Sequence, residues 1–172
     1  IMDGPPALAL GLEPVRDYVL KRKPINRHSG IIARSMFVNI IINAILIITI
    51  VFTQSAFNIL GATSEEQGTV IFSLFAFSAL FNALNCREFG LNSTIPNFFK
   101  NKLALQIIVV TGIIQIIFTQ VFQSFFNSVS LDFDMWIKII LFASTILLSN
   151  EFVKLILRTM KNSRTMNFNS KN

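Results

Sequence analysis

Asp3, Lys138 and Glu151 stand inside the apolar stretches of this 172-residue chain. A charge at the centre of a bilayer costs roughly 2.5–3.5 kcal/mol or more, so an intramembrane acid is a functional candidate by default. Asp3 is followed at once by Gly4, Pro5 and Pro6, a run that frees backbone carbonyls. A carboxylate beside loose carbonyls is the chemistry of a hard-cation site. From spacing alone, the same run is also an ordinary turn. Glu151 precedes Lys154 by three residues, which suits an interfacial ion pair or a helix–helix contact.

Polar amides recur in the same stretches. Asn39 and Asn43 are four apart, Asn82 and Asn85 three apart, and Gln106 and Gln115 lie further on. Their simplest use is hydrogen bonding between helices, worth about 0.6 kcal/mol each on average in membranes. Cys86 is the single cysteine, which excludes a disulfide framework within the chain and suits a small packing residue. His28 has no second ligand nearby. The sequence contains no Ser-His-Asp set, phosphate loop or zinc spacing.

The elements that must position these groups follow from composition. Hydrophobic residues make up 52% of the chain and charged residues 14%, with a mean hydropathy of +0.60. A soluble domain carries about 25% charged residues, so the deficit points to lipid as the solvent and to the bilayer as a partner. No nucleic-acid partner is expected. Long apolar runs recur four times, at roughly Met36–Thr53, Thr69–Leu84, Leu103–Phe122 and Trp136–Ile156. About 20 helical residues cross a hydrocarbon core of about 30 Å. The second run is short and is expected to extend from near Glu65 to near Asn85. The predicted fold is all-α, a polytopic membrane helix bundle.

Charge alternates between the loops. Residues 12–34 hold Arg16, Lys21, Arg22, Lys23, Arg27 and Arg34, and residues 85–102 hold Arg87, Lys100 and Lys102. Lys154, Arg158, Lys161, Arg164 and Lys171 lie at the C-terminal end. Residues 54–68 and 123–135 carry acids but no basic residue. The positive-inside rule therefore assigns loops 12–34 and 85–102 and the C-terminus to the cytoplasm. Lys138, just inside the fourth run, can snorkel outward. With this topology, residues 1–11 form the C-terminal half of a further membrane helix, 12–34 a cytosolic loop, 35–156 a four-helix bundle and 157–172 a basic cytosolic tail, whose stretch 161–172 is expected to lack regular structure. Ile1 is not a usual start, so chain is expected before it. Thr63 with Glu66, or Ser64 with Gln67, is predicted to form a capping box at the second span. Trp136 is predicted to mark the outer interface.

These residues resemble a known family. "MDGPPALALGLEP" is similar to the sixth transmembrane helix and following turn of calcium-type P-type ATPases, and "FNALNCREFG" to the end of their eighth. The intervening "EPVRDYVLKRKPINRHSGII" looks like their cytosolic sixth-to-seventh loop. The resemblance covers residues 1–156 and makes the four spans helices seven to ten. It implies a pump that forms an aspartyl-phosphate from ATP and moves a cation by alternating access, with Asp3 as the ion ligand. Met2 replaces the threonine, and Ala79 the acid, of pumps with two calcium sites. Both departures imply one Ca2+ per cycle, with Mn2+ as an alternative ion. ATP and Mg2+ would bind only in domains outside this chain, which lacks the Asp-Lys-Thr-Gly motif. The partner so implied is the remainder of the same pump. The rival reading is a small helical membrane protein acting as an accessory or assembly subunit.

Overall fold

The computed structural model describes residues 4–11, 34–86 and 102–169. Six helices occupy them: α1 (Gly4–Gly11), α2 (Arg34–Phe57), α3 (Gln67–Asn85), α4 (Lys102–Val121), α5 (Gln123–Phe126) and α6 (Phe133–Asn169). Four of these are long and apolar enough to cross a membrane, over Met36–Phe57, Gln67–Asn85, Lys102–Val121 and Phe133–Met160. They coincide with the four runs predicted above. The basic stretches 12–33 and 87–101 lie outside the described residues.

The core is a seam between α3 and α6. Val70, Leu74, Phe77, Leu80 and Leu84 recur every three or four residues along α3, and all are buried. Met135, Trp136, Ile139, Ala143 and Ile146 do the same on α6. Lipid tails are as apolar as these side chains, so close packing rather than water exclusion holds such a seam together. A small residue serves that purpose: Ala143 is 0% exposed. By contrast α2 is peripheral, with 6% of its apolar window buried against 50% for α3. Its Phe37, Ile41, Ile45, Ile48 and Phe52 face outward, as lipid-contacting residues do.

Helix α4 meets α3 at Gly112. A Cβ there would lie 3.3 Å from Phe77 Cε1. One methyl gains helix propensity and asks only a small shift of the ring edge. A branched side chain overpacks the contact at a cost of about 1–3 kcal/mol. Gly112→Ala is therefore expected to be near neutral and Gly112→Val to be destabilised by that amount, read from denaturant unfolding in mixed micelles. Equal stability of the two variants would contradict this packing.

The two described turns at the far end are held by side chains that replace missing backbone bonds. Between α2 and α3, Asn58 sits at φ 45°, a left-handed conformation that Asn tolerates better than most residues. Its Oδ1 accepts from Gln54 Nε2 at 3.0 Å and from the Ala62 N–H at 2.9 Å, while its Nδ2 donates to the Ala62 carbonyl at 2.8 Å. Gln54, fully buried, also accepts from the Leu60 N–H at 3.0 Å. The predicted capping box is present in its first form. The Thr63 N–H and hydroxyl donate to Glu66 Oε2 at 2.9 and 2.8 Å, and the Glu66 N–H returns a bond to Thr63 Oγ1 at 3.3 Å. The Thr63 backbone N–H, and then its hydroxyl, hold the exposed Glu66 carboxyl below its ordinary value.

Between α4 and α6, Gln120 clamps Leu131 by donating to its carbonyl at 2.9 Å and accepting from its N–H at 3.0 Å. The Val129 N–H donates to Thr69 Oγ1 of α3 at 2.8 Å, so this turn is tied to the first turn of its neighbour.

Two expectations need correction. Trp136 is not at a lipid-facing interface. It is 4% exposed and packs edge-on against Phe77, with ring centroids 6.2 Å apart. With α6 starting at Phe133, Trp136 falls on the same face as Ile139 and Ala143, and burial of the large ring in the seam prevails. The polar tail is also not without structure throughout, because α6 continues to Asn169. No glycine or proline interrupts residues 133–169, so the helix has no local signal to stop.

Candidate functional site

Asp3 and its neighbour Met2 lie outside the described residues. What the structure places is the segment that follows. Helix α1 is described from Gly4 to Gly11, with Pro5 and Pro6 as its second and third described residues. Pro6 is buried, and α1 packs against α4 and, over a shorter stretch, α3. Ala79, the other position that bears on the ion site, is half-buried on α3. Among the described residues no group of three His, Cys, Asp or Glu side chains could hold a metal ion.

The intramembrane charges separate into two local pairs. Lys138 Nζ lies 2.6 Å from Asp134 Oδ2, both well exposed, in keeping with a lysine reaching toward the helix end. Lys154 Nζ lies 3.9 Å from Glu151 Oε1, and here the lysine side chain is only 5% exposed. This is the ion pair that the i,i+3 spacing predicted.

Lys154 also lines a cavity of about 260 Å³ at the end of the bundle opposite the two turns. Helix α2 contributes Asn39, Ile40, Asn43, Ala44 and Ile47, α3 contributes Asn82 and Asn85 with Cys86 following, and α6 contributes Asn150. Asn150 Nδ2 donates to Asn43 Oδ1 at 2.6 Å and joins α6 to α2. Asn85 Nδ2 reaches the Ile146 carbonyl at 3.4 Å. The Oδ1 atoms of Asn82 and Asn85 are buried with no hydrogen-bond partner among the described residues. Burial pushes the Cys86 thiol up, against an opposing effect of the Lys154 ammonium. A raised thiol is a poor nucleophile, which agrees with a packing role.

Four of the six amides named from sequence, Asn39, Asn43, Asn82 and Asn85, meet in this one cavity. Gln106 is exposed. Gln115 bonds within its own helix, donating to Thr119 Oγ1 at 3.3 Å, rather than across helices as expected. Sequence reading missed Asn150, Gln54, Asn58 and Gln120. Asn150 was findable, since it continues the 139–143–146 face of α6 by one further step of four.

Four membrane-length helices, tied at one end by side-chain-bonded turns and lined with amides at the other, define an integral, multi-pass membrane bundle. The chain belongs to the family described as "Cation transporting ATPase, C-terminus", whose sequence pattern matches residues 1–156. It is 31% identical over 162 residues to a probable calcium-transporting ATPase 6, plasma membrane-type, of Oryza sativa, covering 91% of this chain. It is 30% identical over 146 residues to calcium-transporting ATPase 8, plasma membrane-type, of Arabidopsis thaliana, covering 80% of the chain. It is 30% identical over 169 residues to human plasma membrane calcium-transporting ATPase 1, covering 91%. The chain spans only 16%, 14% and 14% of those relatives' lengths.

Proposed function

We propose that this chain is the C-terminal membrane region of an ATP-driven pump that exports Ca2+ from the cytoplasm through a single ion site. The observation that carries the reading is the match to calcium-transporting relatives across 80–91% of the chain. Those relatives are named for calcium and not for manganese. Asp3 is the ion ligand contributed from this region; the carbonyls of Gly4, Pro5 and Pro6 belong to the hydrogen-bond ladder of α1 and are not counted as ligands. Met2 and Ala79 lack side-chain oxygens, which favours one ion over two. ATP and Mg2+ bind in the remainder of the same pump, outside these residues.

Loops 12–34 and 85–102 and the C-terminus face the cytoplasm, an orientation supported by their Lys and Arg content. Residues 1–11 then end an ion-binding helix, 35–156 form its support bundle and 157–172 a basic extension. The test is phosphorylation from labelled ATP in membranes holding the full-length protein. Phosphoenzyme that requires calcium is expected. Phosphoenzyme at equal levels with and without calcium would overturn the assignment.

A further inference from the structure

We propose that the slot between α4 and α6 holds one acyl chain of a membrane phospholipid, selected by its hydrocarbon and not by its headgroup. The inference rests on the membrane bundle and not on the transported ion.

Shape is the first argument. Helices α4 and α6 both pack on α3, yet among the described residues no Cα of α4 comes within 8 Å of one in α6. The space left between them is a partly open cavity of about 230 Å³. Phe77, Leu80 and Phe81 of α3 form its floor, Ile113 and Ile116 belong to the α4 wall, and Ile140 belongs to the α6 wall. The connection from α4 to α6 crosses one end of the slot, where Gln120 clamps Leu131. Depth is the second argument. Gly112, also in the lining, lies midway along α4, about 15 Å of helical rise from Lys102 and about 14 Å from Val121. That is the centre of a hydrocarbon core about 30 Å thick. Acyl chains are the solvent there, and headgroups and sterol hydroxyls sit at its edges.

Chemistry is the third argument. No described lining residue carries a polar side chain. An apolar void of about 150 Å³ lined by Leu, Ile and Phe stays dry and takes up an apolar guest, so this larger one is filled by hydrocarbon and not by water. Nothing described in the N-terminal segment covers it. Helix α1 reaches α4 and α3 but not α6, and it contributes no described residue to the slot. It therefore lies on the other side of the α3–α4 pair. At the open side, Val109 and Ile113 are 53% and 52% exposed. They continue the outward-facing apolar surface that Val110 and Ile117 carry along α4 and Ile137 and Leu141 along α6.

The experiment places the full-length protein in nanodiscs whose phosphatidylcholine carries a diazirine midway along one acyl chain. After irradiation, adducts are mapped by peptide mass spectrometry. Val110, Leu141 and Ile48 serve as controls outside the slot, each at least as exposed as Val109 and Ile113. Val109 and Ile113 are expected to be labelled about fivefold more than these controls, the ratio given by about 1 kcal/mol of added packing. The excess should be the same when phosphatidylglycerol carries the probe. Val109→Phe, which sets a ring at the mouth of the slot, should bring labelling of Ile113 down to the level of Leu141. Labelling equal to the controls, or below them because another part of the protein covers the slot, would overturn the site. So would a several-fold dependence on headgroup, an excess that survives Val109→Phe, or loss of the excess to an equimolar sterol. The wild-type comparison decides by itself should Val109→Phe fail to fold.

Discussion

Asp3→Asn in the full-length protein is expected to abolish calcium-dependent phosphorylation from ATP. The argument is one of charge. A divalent cation leaving water needs anionic oxygen to replace its hydration. An amide retains the shape and the carbonyl oxygen of aspartate but removes the charge, and under the proposed single site no second ion can compensate. The effect is therefore a loss and not a modest shift in affinity. The variant should still assemble, because Asn is smaller in charge and equal in size to the group it replaces. Phosphorylation from inorganic phosphate, which does not require the ion to be bound, should persist in Asp3→Asn and shows that the loss is local. Wild-type phosphoenzyme from ATP in this variant would refute the site.

The second large effect is expected at Asn58. Replacing it by alanine removes two acceptor bonds and one donor bond at the α2–α3 turn and leaves an L-residue at φ 45°. Each lost bond costs about 1 kcal/mol, and the left-handed backbone about 1 kcal/mol more. Asn58→Ala is thus expected to lower stability by about 3 kcal/mol, the sum being reduced by water reaching an exposed turn. Asn58→Gly removes the same bonds but keeps the backbone at ease, so it should recover roughly 1 kcal/mol of that loss. Denaturant unfolding in mixed micelles separates the two terms. A change in Asn58→Ala of about 0.5 kcal/mol or less would show that the Gln54–Asn58–Ala62 network does not hold the turn.

The helices were legible in the sequence because lipid imposes a simple rule. Every backbone polar group must be satisfied within its own segment, so a long uncharged run such as Leu103–Phe122 has few folds open to it. The capping box was legible for the same local reason, since Thr63 and Glu66 are three residues apart. Side-chain destinations were less so. Trp136 could sit at an interface or in a seam, and only the phase of α6 relative to α3 decides. The Asn43–Asn150 bond spans 107 residues, beyond any local pattern. Turn residues such as Gln54 and Gln120 look like ordinary polar positions until the backbone they serve is seen. Of the candidate ion site, Asp3 itself lies outside the described residues. Its assignment therefore rests on the family match and on the placement of α1 against the bundle just after it.

Equilibrium binding of radioactive calcium to the purified full-length protein tests the central claim most directly. One ion per protein molecule is predicted, and none above background in Asp3→Asn. Two ions in the wild type would contradict the reading of Met2 and Ala79, and one ion retained in Asp3→Asn would contradict the role of Asp3.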